Sequence, residues 1–180
     1  MRCPIFPTFA PKFRTMTDSE KKYHQFRKQV DQLTDKLSTT HQKHLACKKG
    51  CDLCCMDYQV FPIEFEAIKQ ALKDQPVEMQ ESVDGSCIFL KDHACQIYEH
   101  RPVICRTHGL PLLFMNDDQW ELSACELNFT EFDDDDFTPE NTFPQDKFNS
   151  QLFMLNKEFL KEHELPYGEF DLIPIHKLKG

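Results

Sequence analysis

Cys47-Lys-Lys-Gly-Cys51-Asp-Leu-Cys54-Cys55 places four thiols within nine residues. The chain has nine cysteines in all; four more follow at Cys87, Cys95, Cys105 and Cys125, and Cys3 stands apart. Sulfur is a soft ligand, and tetrahedral thiolate sites select zinc or iron–sulfur clusters. Short loops between ligands let neighbouring thiolates converge on one ion without long-range folding. The stretch therefore points to a fold organised around a cysteine-ligated metal centre, with the rest of the chain as its support.

Cys51 to Cys55 reads as a tight turn around Gly50 and Asp52. Within it the adjacent pair Cys54-Cys55 is informative. Neighbouring side chains point to opposite faces of a strand and diverge by about 100° on a helix. Two such neighbours seldom serve one ion, so they feed two sites, or one is a ligand and the other packs as a small apolar residue.

Upstream, Thr17-Asp-Ser-Glu20 fits a capping box. Tyr23, Phe26, Val30, Leu33 and Leu37 then recur at steps of three and four, the apolar stripe of a long helix. The pattern carries it to about Leu45, with a stop at Gly50, so that the helix would deliver Cys47 at its end. Residues 1–16 read as an irregular, proline-rich arm in which Cys3 is a bystander.

Downstream, Tyr58 to Phe61 reads as a short strand, and Pro62 suits the first turn of a helix whose face is Ile63, Ala67, Ile68, Ala71 and Leu72. That helix ends before Pro76, and a polar loop spans 77–86. Cys87 to Leu90 and Ala94 to Tyr98 form a predicted hairpin with a cysteine on each arm. Pro102 opens a short helix that holds Cys105. Residues 111–115 and 119–125 pair across Asn116-Asp117-Asp118, and Cys125 ends the second arm. The acidic run from Glu131 to Asp136 lacks the alternating ligands and central glycine of a calcium loop and reads as a solvated loop. Phe148, Leu152, Leu155 and Phe159 mark a second amphipathic helix, and 164–180 an extended tail packing through Phe170, Leu172 and Ile173.

Composition sets the outer bounds. The 180 residues suit one domain, expected over 17–180 with a cysteine core at 47–125. Hydrophobic content is 40%, and sixteen phenylalanines supply large apolar areas in compensation. A formal charge of -9 argues against nucleic acid and anionic membranes as partners. No apolar run reaches the ~20 residues that span a bilayer. The proline-broken N-terminus lacks the apolar core of a secretory signal, so a reducing, cytoplasmic setting is expected, where clustered cysteines are metal ligands more often than disulfides.

The ordered motifs Cys47-x3-Cys51-x2-Cys54-Cys55, Cys87-Ile-Phe-Leu and Cys95-Gln-Ile-Tyr-x2-Arg101-Pro102-x2-Cys105-Arg106 resemble the CxxCxxCC, or YkgJ-like, cysteine-cluster family. The resemblance covers residues 47–125 and implies a zinc- or iron-chelating domain. A bacterial flagellin lysine N-methylase carries a similar cluster, which makes an iron–sulfur redox or methyl-transfer enzyme the alternative. The spacing Cys47-x3-Cys51-x2-Cys54 is also similar to the cluster motif of radical S-adenosylmethionine enzymes. However, the chain is too short for their usual barrel and has no repeated βα pattern.

Eight thiols suffice for two four-coordinate sites, or for one site with bystanders. The expected first set is Cys47, Cys51, Cys54 and Cys105, with Cys55, Cys87, Cys95 and Cys125 as a second set or support. His41, His44, His93, His100 and His108 lie near the cysteines in sequence and could replace a sulfur. Lys48, Lys49, Arg101 and Arg106 would offset thiolate charge, and Arg106 is placed to donate to a sulfur. Cys105 with His108 is a thiol beside an imidazole, but a metal ligand is not a free nucleophile. No glycine-rich phosphate loop is present. The expected fold is α+β, peripheral amphipathic helices around a cysteine-rich centre with short hairpins. Its role is an iron–sulfur enzyme, a zinc-stabilised module that binds another protein, or a metal-delivery protein.

Overall fold

Helices flank a set of short hairpins in the computed structural model, which describes residues 15–48 and 50–179. Cys3, most of the N-terminal arm and Lys49 lie outside the described residues. The elements run α1 (Asp18–Thr40), β1 (Gln59–Val60), α2 (Pro62–Asp74), β2 (Leu90–Lys91), β3 (Ala94–Cys95), α3 (Val103–Thr107), β4 (Leu112–Asn116), β5 (Gln119–Ser123), β6 (Phe143–Pro144), α4 (Gln145–His163) and β7 (Ile173–Pro174). This is the α+β class expected.

Helix α1 starts on the expected capping box: Thr17 accepts from the Glu20 amide, and the Glu20 carboxylate accepts from the Thr17 amide at 2.8 Å. Its stripe, Tyr23, Phe26, Val30 and Leu37, is buried with Phe148, Leu152 and Phe159 of α4 and Ile63 of α2 in one core cluster. The helix stops at Thr40, short of the expected Leu45. The reason is His41, which is buried, packs edge-on against Phe129, and holds the Asn141 carbonyl with Nε2 at 2.6 Å. Cys47 therefore follows a stretch of turns and is not delivered by the helix end.

Helix α2 opens on Pro62, as its fixed φ favours. The strand before it is only two residues long and pairs antiparallel with β7, Val60 opposite Ile173. Strands β2 and β3 pair Leu90 with Cys95 around Asp92 and His93, both at positive φ. Cys87 lies ahead of β2 rather than on it, and Cys125 lies past the end of β5. The β4–β5 hairpin turns at Asp117 and Asp118 as expected, and β6 joins β4 in parallel.

A second core cluster gathers Val60, Phe65, Ile68, Ile88, Phe89, Ile97, Ile173 and Ile175, with Cys87 and Cys95 packed against it. The tail thus buries Ile173 and Ile175, whereas Phe170 and Leu172 remain exposed; Phe170 stacks on Phe153. In the acidic loop Phe132 turns inward against Phe129, Phe137 and His44.

Buried polar contacts tie the helices to one another. Asn156 of α4 accepts from the Ile63 amide at 3.2 Å and so satisfies the start of α2. Glu64 of α2 accepts from the Val103 amide at 2.8 Å and does the same for α3. Arg106 of α3 pairs with Asp31 of α1. The short helix that carries Cys105 is thereby fixed to α1 and α2.

Candidate metal centre

Four separate pieces of chain supply the thiols. Cys51 and Cys55 are set by a chain of tight turns: the Cys51 amide donates to the Lys48 carbonyl at 2.9 Å, and the Cys55 amide to the Asp52 carbonyl at 2.8 Å. Gly50 takes φ +93° inside this turn, a conformation that L side chains disfavour. The Cys87 amide then donates to the Cys55 carbonyl at 3.0 Å, and the Leu90 amide to the Cys87 carbonyl at 3.0 Å. Since Leu90 pairs with Cys95, the residues Cys55, Cys87 and Cys95 share one hydrogen-bonded patch.

Asn128 organises the other side. Its Oδ1 accepts from the Ala46 amide at 2.7 Å, and its Nδ2 donates to the Gly109 carbonyl at 2.7 Å and to Cys47 Sγ at 3.4 Å. Its own amide donates to the Cys125 carbonyl at 2.9 Å. Gly109, at φ +87°, closes against the same sulfur: a Cβ there would sit 2.8 Å from Cys47 Sγ.

All eight described cysteines are free thiols, so the disulfide alternative finds no pair among them. Electrostatic proximity sorts them. Burial pushes the Cys54 thiol up, and its other thiol neighbours are Cys47, Cys51 and Cys125. Burial pushes Cys55 up to about 12, reinforced by Cys54, Cys95 and Cys87. Cys105 is raised most, first by burial and then by Cys87 and Cys95, with Arg101 opposing. Burial also raises Cys87 and Cys95, with the nearby backbone amides of Phe89 and Ile97, each two residues on, pulling the other way. A neighbouring amide dipole favours the thiolate, the form a metal requires.

Among the described residues, no three His, Cys, Asp or Glu side chains stand, as placed, in a geometry that could hold a metal ion. The thiols are gathered but not converged on a point. The chemistry of the donor set nonetheless fits zinc or an iron–sulfur cluster: the donors are soft, and one of them, Cys47 Sγ, already accepts from the Asn128 side-chain amide.

Several expected residues fall elsewhere. Arg106 does not face sulfur. Its guanidinium pairs with Asp31 and donates to the carbonyls of Arg101 and Glu99 at 2.7 Å each. Arg101 is the cation near the thiols, held over the Tyr98 ring with Nη1 3.4 Å from the Cys105 carbonyl. His41 and His44 serve the phenylalanine cluster, and exposed His93 pairs with Asp52 at 2.8 Å. His108 stacks near Tyr58, centroids 4.9 Å apart, and its Nε2 is buried without a hydrogen-bond partner. Tyr58 itself was no sequence candidate. Burial pushes its hydroxyl up to about 12, with Cys105, Cys54, Cys55 and Cys87 in reach. Asn128 and Gly109 were also missed; the scarcity of glycine, five in 180 residues, was the one usable sign for Gly109.

No curated protein and no solved structure matches the chain. The stretch that carries the eight clustered thiols, residues 46–126, matches the model of the CxxCxxCC family, described as "Putative zinc- or iron-chelating domain", and this is the family that the motifs resemble.

Proposed function

We propose that the protein holds a thiolate-ligated zinc or iron–sulfur centre through Cys47, Cys51, Cys54, Cys55, Cys87, Cys95, Cys105 and Cys125. The coarse statement, metal binding, follows from the family. What supports the finer one is that backbone hydrogen bonds tie Cys87 to Cys55 and, through Leu90, to Cys95, while Asn128 ties Cys47 Sγ to the Cys125 carbonyl. Burial makes Cys54, Cys55, Cys87, Cys95 and Cys105 reluctant to ionise alone, and a bound cation would reverse that preference.

The chain's own groups have distinct tasks in this reading. The side-chain amide of Asn128 donates to Cys47 Sγ, the backbone amides of Phe89 and Ile97 favour the thiolates of Cys87 and Cys95, and Arg101 offsets negative charge beside Cys95 and Cys105. The acidic surface disfavours nucleic acid as a partner. The test is metal content and visible absorption of protein purified without oxygen. Iron with acid-labile sulfide and a brown colour selects the iron–sulfur centre and directs assays to redox and methyl-transfer chemistry. Colourless protein with bound zinc selects the structural centre. Protein with no metal and eight freely alkylated thiols overturns the proposal.

A further inference from the structure

The β4–β5 hairpin leaves one face and one edge uncovered among the described residues. Leu112 packs on the first core cluster, so strand alternation turns Leu113 and Met115 the other way. Met115 stands opposite Trp120 and Leu113 opposite Leu122, which sets four apolar side chains on one outward face. Trp120, the single tryptophan of the chain, is 65% exposed. Strand β5 pairs with β4 alone, so its outer row of amides and carbonyls has no ladder partner among the described residues.

The charge around this edge has one sign. Between Arg106 and Lys147 the chain carries eleven Asp and Glu and no Lys or Arg. Asp117 and Asp118 form the hairpin turn, Glu121 lies on β5 between Trp120 and Leu122, and Glu126 follows; all four are exposed. Glu121 accepts from the Asn116 side chain at 2.7 Å, a neutral donor that leaves its charge uncompensated. Three occupants are thereby disfavoured. A second copy pairing in register would set Glu121 against Glu121, and like charges directly opposite destabilise a ladder. An anionic membrane meets the same carboxylates. The chain's own N-terminal residues include Pro4, Pro7 and Pro11, which have no amide to give a strand partner.

We propose that β5 is a docking edge for an extended segment of another protein in which basic and apolar residues alternate. Strand addition would lay the partner's apolar side chains beside Trp120 and Leu122, and its lysines or arginines beside Glu121 on the opposite face. The indole supplies the large contact area, and the carboxylates select the charge. This inference is independent of the metal-binding reading.

The experiment is titration of the full chain with the peptide Lys-Val-Lys-Val-Lys-Val, read by the emission of Trp120. The peptide should give a saturable blue shift that weakens as salt is raised. The counterpart Glu-Val-Glu-Val-Glu-Val should give none. Lys-Val-Lys-Pro-Lys-Val keeps the charge but loses a ladder amide, and should bind about tenfold more weakly or worse. Glu121→Lys should exchange the preference, losing the lysine peptide and gaining the glutamate one. Should that variant fail to fold, Glu121→Gln reads the same charge and should weaken the lysine peptide alone. No shift with the lysine peptide overturns the proposal, as does equal binding of the lysine and glutamate peptides. Full binding of the proline peptide also overturns it, because charge attraction without strand pairing would then suffice. Emission that shifts with protein concentration in the absence of peptide would assign the edge to a second copy. Emission of a buried indole at every concentration would assign it to the chain's own residues. Either result overturns the proposal.

Discussion

Gly109 shows how tightly one position can be constrained by a neighbouring sulfur. It combines a left-handed backbone with 2.8 Å between a built Cβ and Cys47 Sγ. Gly109→Ala should therefore destabilise the fold by about 1–3 kcal/mol through backbone strain, beyond its effect on Cys47. The urea midpoint of the reduced, metal-free protein checks the strain, and zinc retention checks the displaced sulfur. Glu64 is the second informative residue. Burial raises its carboxyl from 4.5 to about 7, against the amides of Val103 and Phe61 and the nearby Arg106 and Arg27. Its proton is held more tightly in the fold than in the unfolded chain. The associated stability is therefore fully present below about pH 4.5 and is lost as pH rises through about 7. The gap corresponds to about 3 kcal/mol. Glu64→Gln, which keeps an acceptor for Val103, should flatten this dependence. Denaturation midpoints at acid and alkaline pH should show the variant gaining on the wild type as pH rises; equal slopes would contradict the assignment. At this scale the sequence could name the cysteines but not their neighbours. Asn128 looks like any loop asparagine until Gly109 and the Ala46–Cys47 stretch are brought to it from two other segments.

Among the elements, starts were more legible than stops. Thr17 with Glu20 satisfies amides within a few residues, and Pro62 starts its helix by a fixed φ and a missing amide; both are local devices. The end of α1 is not local: it depends on His41 finding Asn141 and Phe129, about a hundred residues away. The Cys87 segment misled for a similar reason, because its amide is spent on the Cys55 carbonyl rather than on a strand partner. The caps that link helices were equally invisible. Asn156 is fully buried on α4, and its task is the Ile63 amide of α2. Asn156→Leu should leave that amide unpaired and lower stability by about 1–3 kcal/mol. Amide exchange should accelerate at the first turn of α2 ahead of α4; uniform acceleration would mean that packing, not the cap, was lost.

For the whole molecule, the division of labour between two cores sets what metal removal does. The cluster of α1, α2 and α4 uses no cysteine, whereas the second cluster packs directly on Cys87 and Cys95. Chelation should therefore lower the melting temperature without unfolding everything at once. Hydrogen exchange with and without chelator should show lost protection across 44–58, 86–97 and 105–129, and retained protection in α1 and α4. Loss in the helices to the same degree would show that the two cores fold as one unit. The α+β class was readable from hydrophobic spacing and turn residues, but the assignment of thiols to groups was not, since it depends on how four loops meet. Among the described residues, no helix is long and apolar enough to cross a membrane. One further consequence comes from the two-residue seam of β1 and β7. Gln59 and Val60, just after the first four clustered cysteines, pair with Pro174 and Ile173, and the His176 amide donates to Asp57. During vectorial synthesis the strand beside the cysteines waits for a partner made more than a hundred residues later. While the ribosome is still at work those thiols stand open to whatever soft cation or oxidant the nascent chain meets, so timing at the exit tunnel, as well as affinity, governs what the finished protein carries.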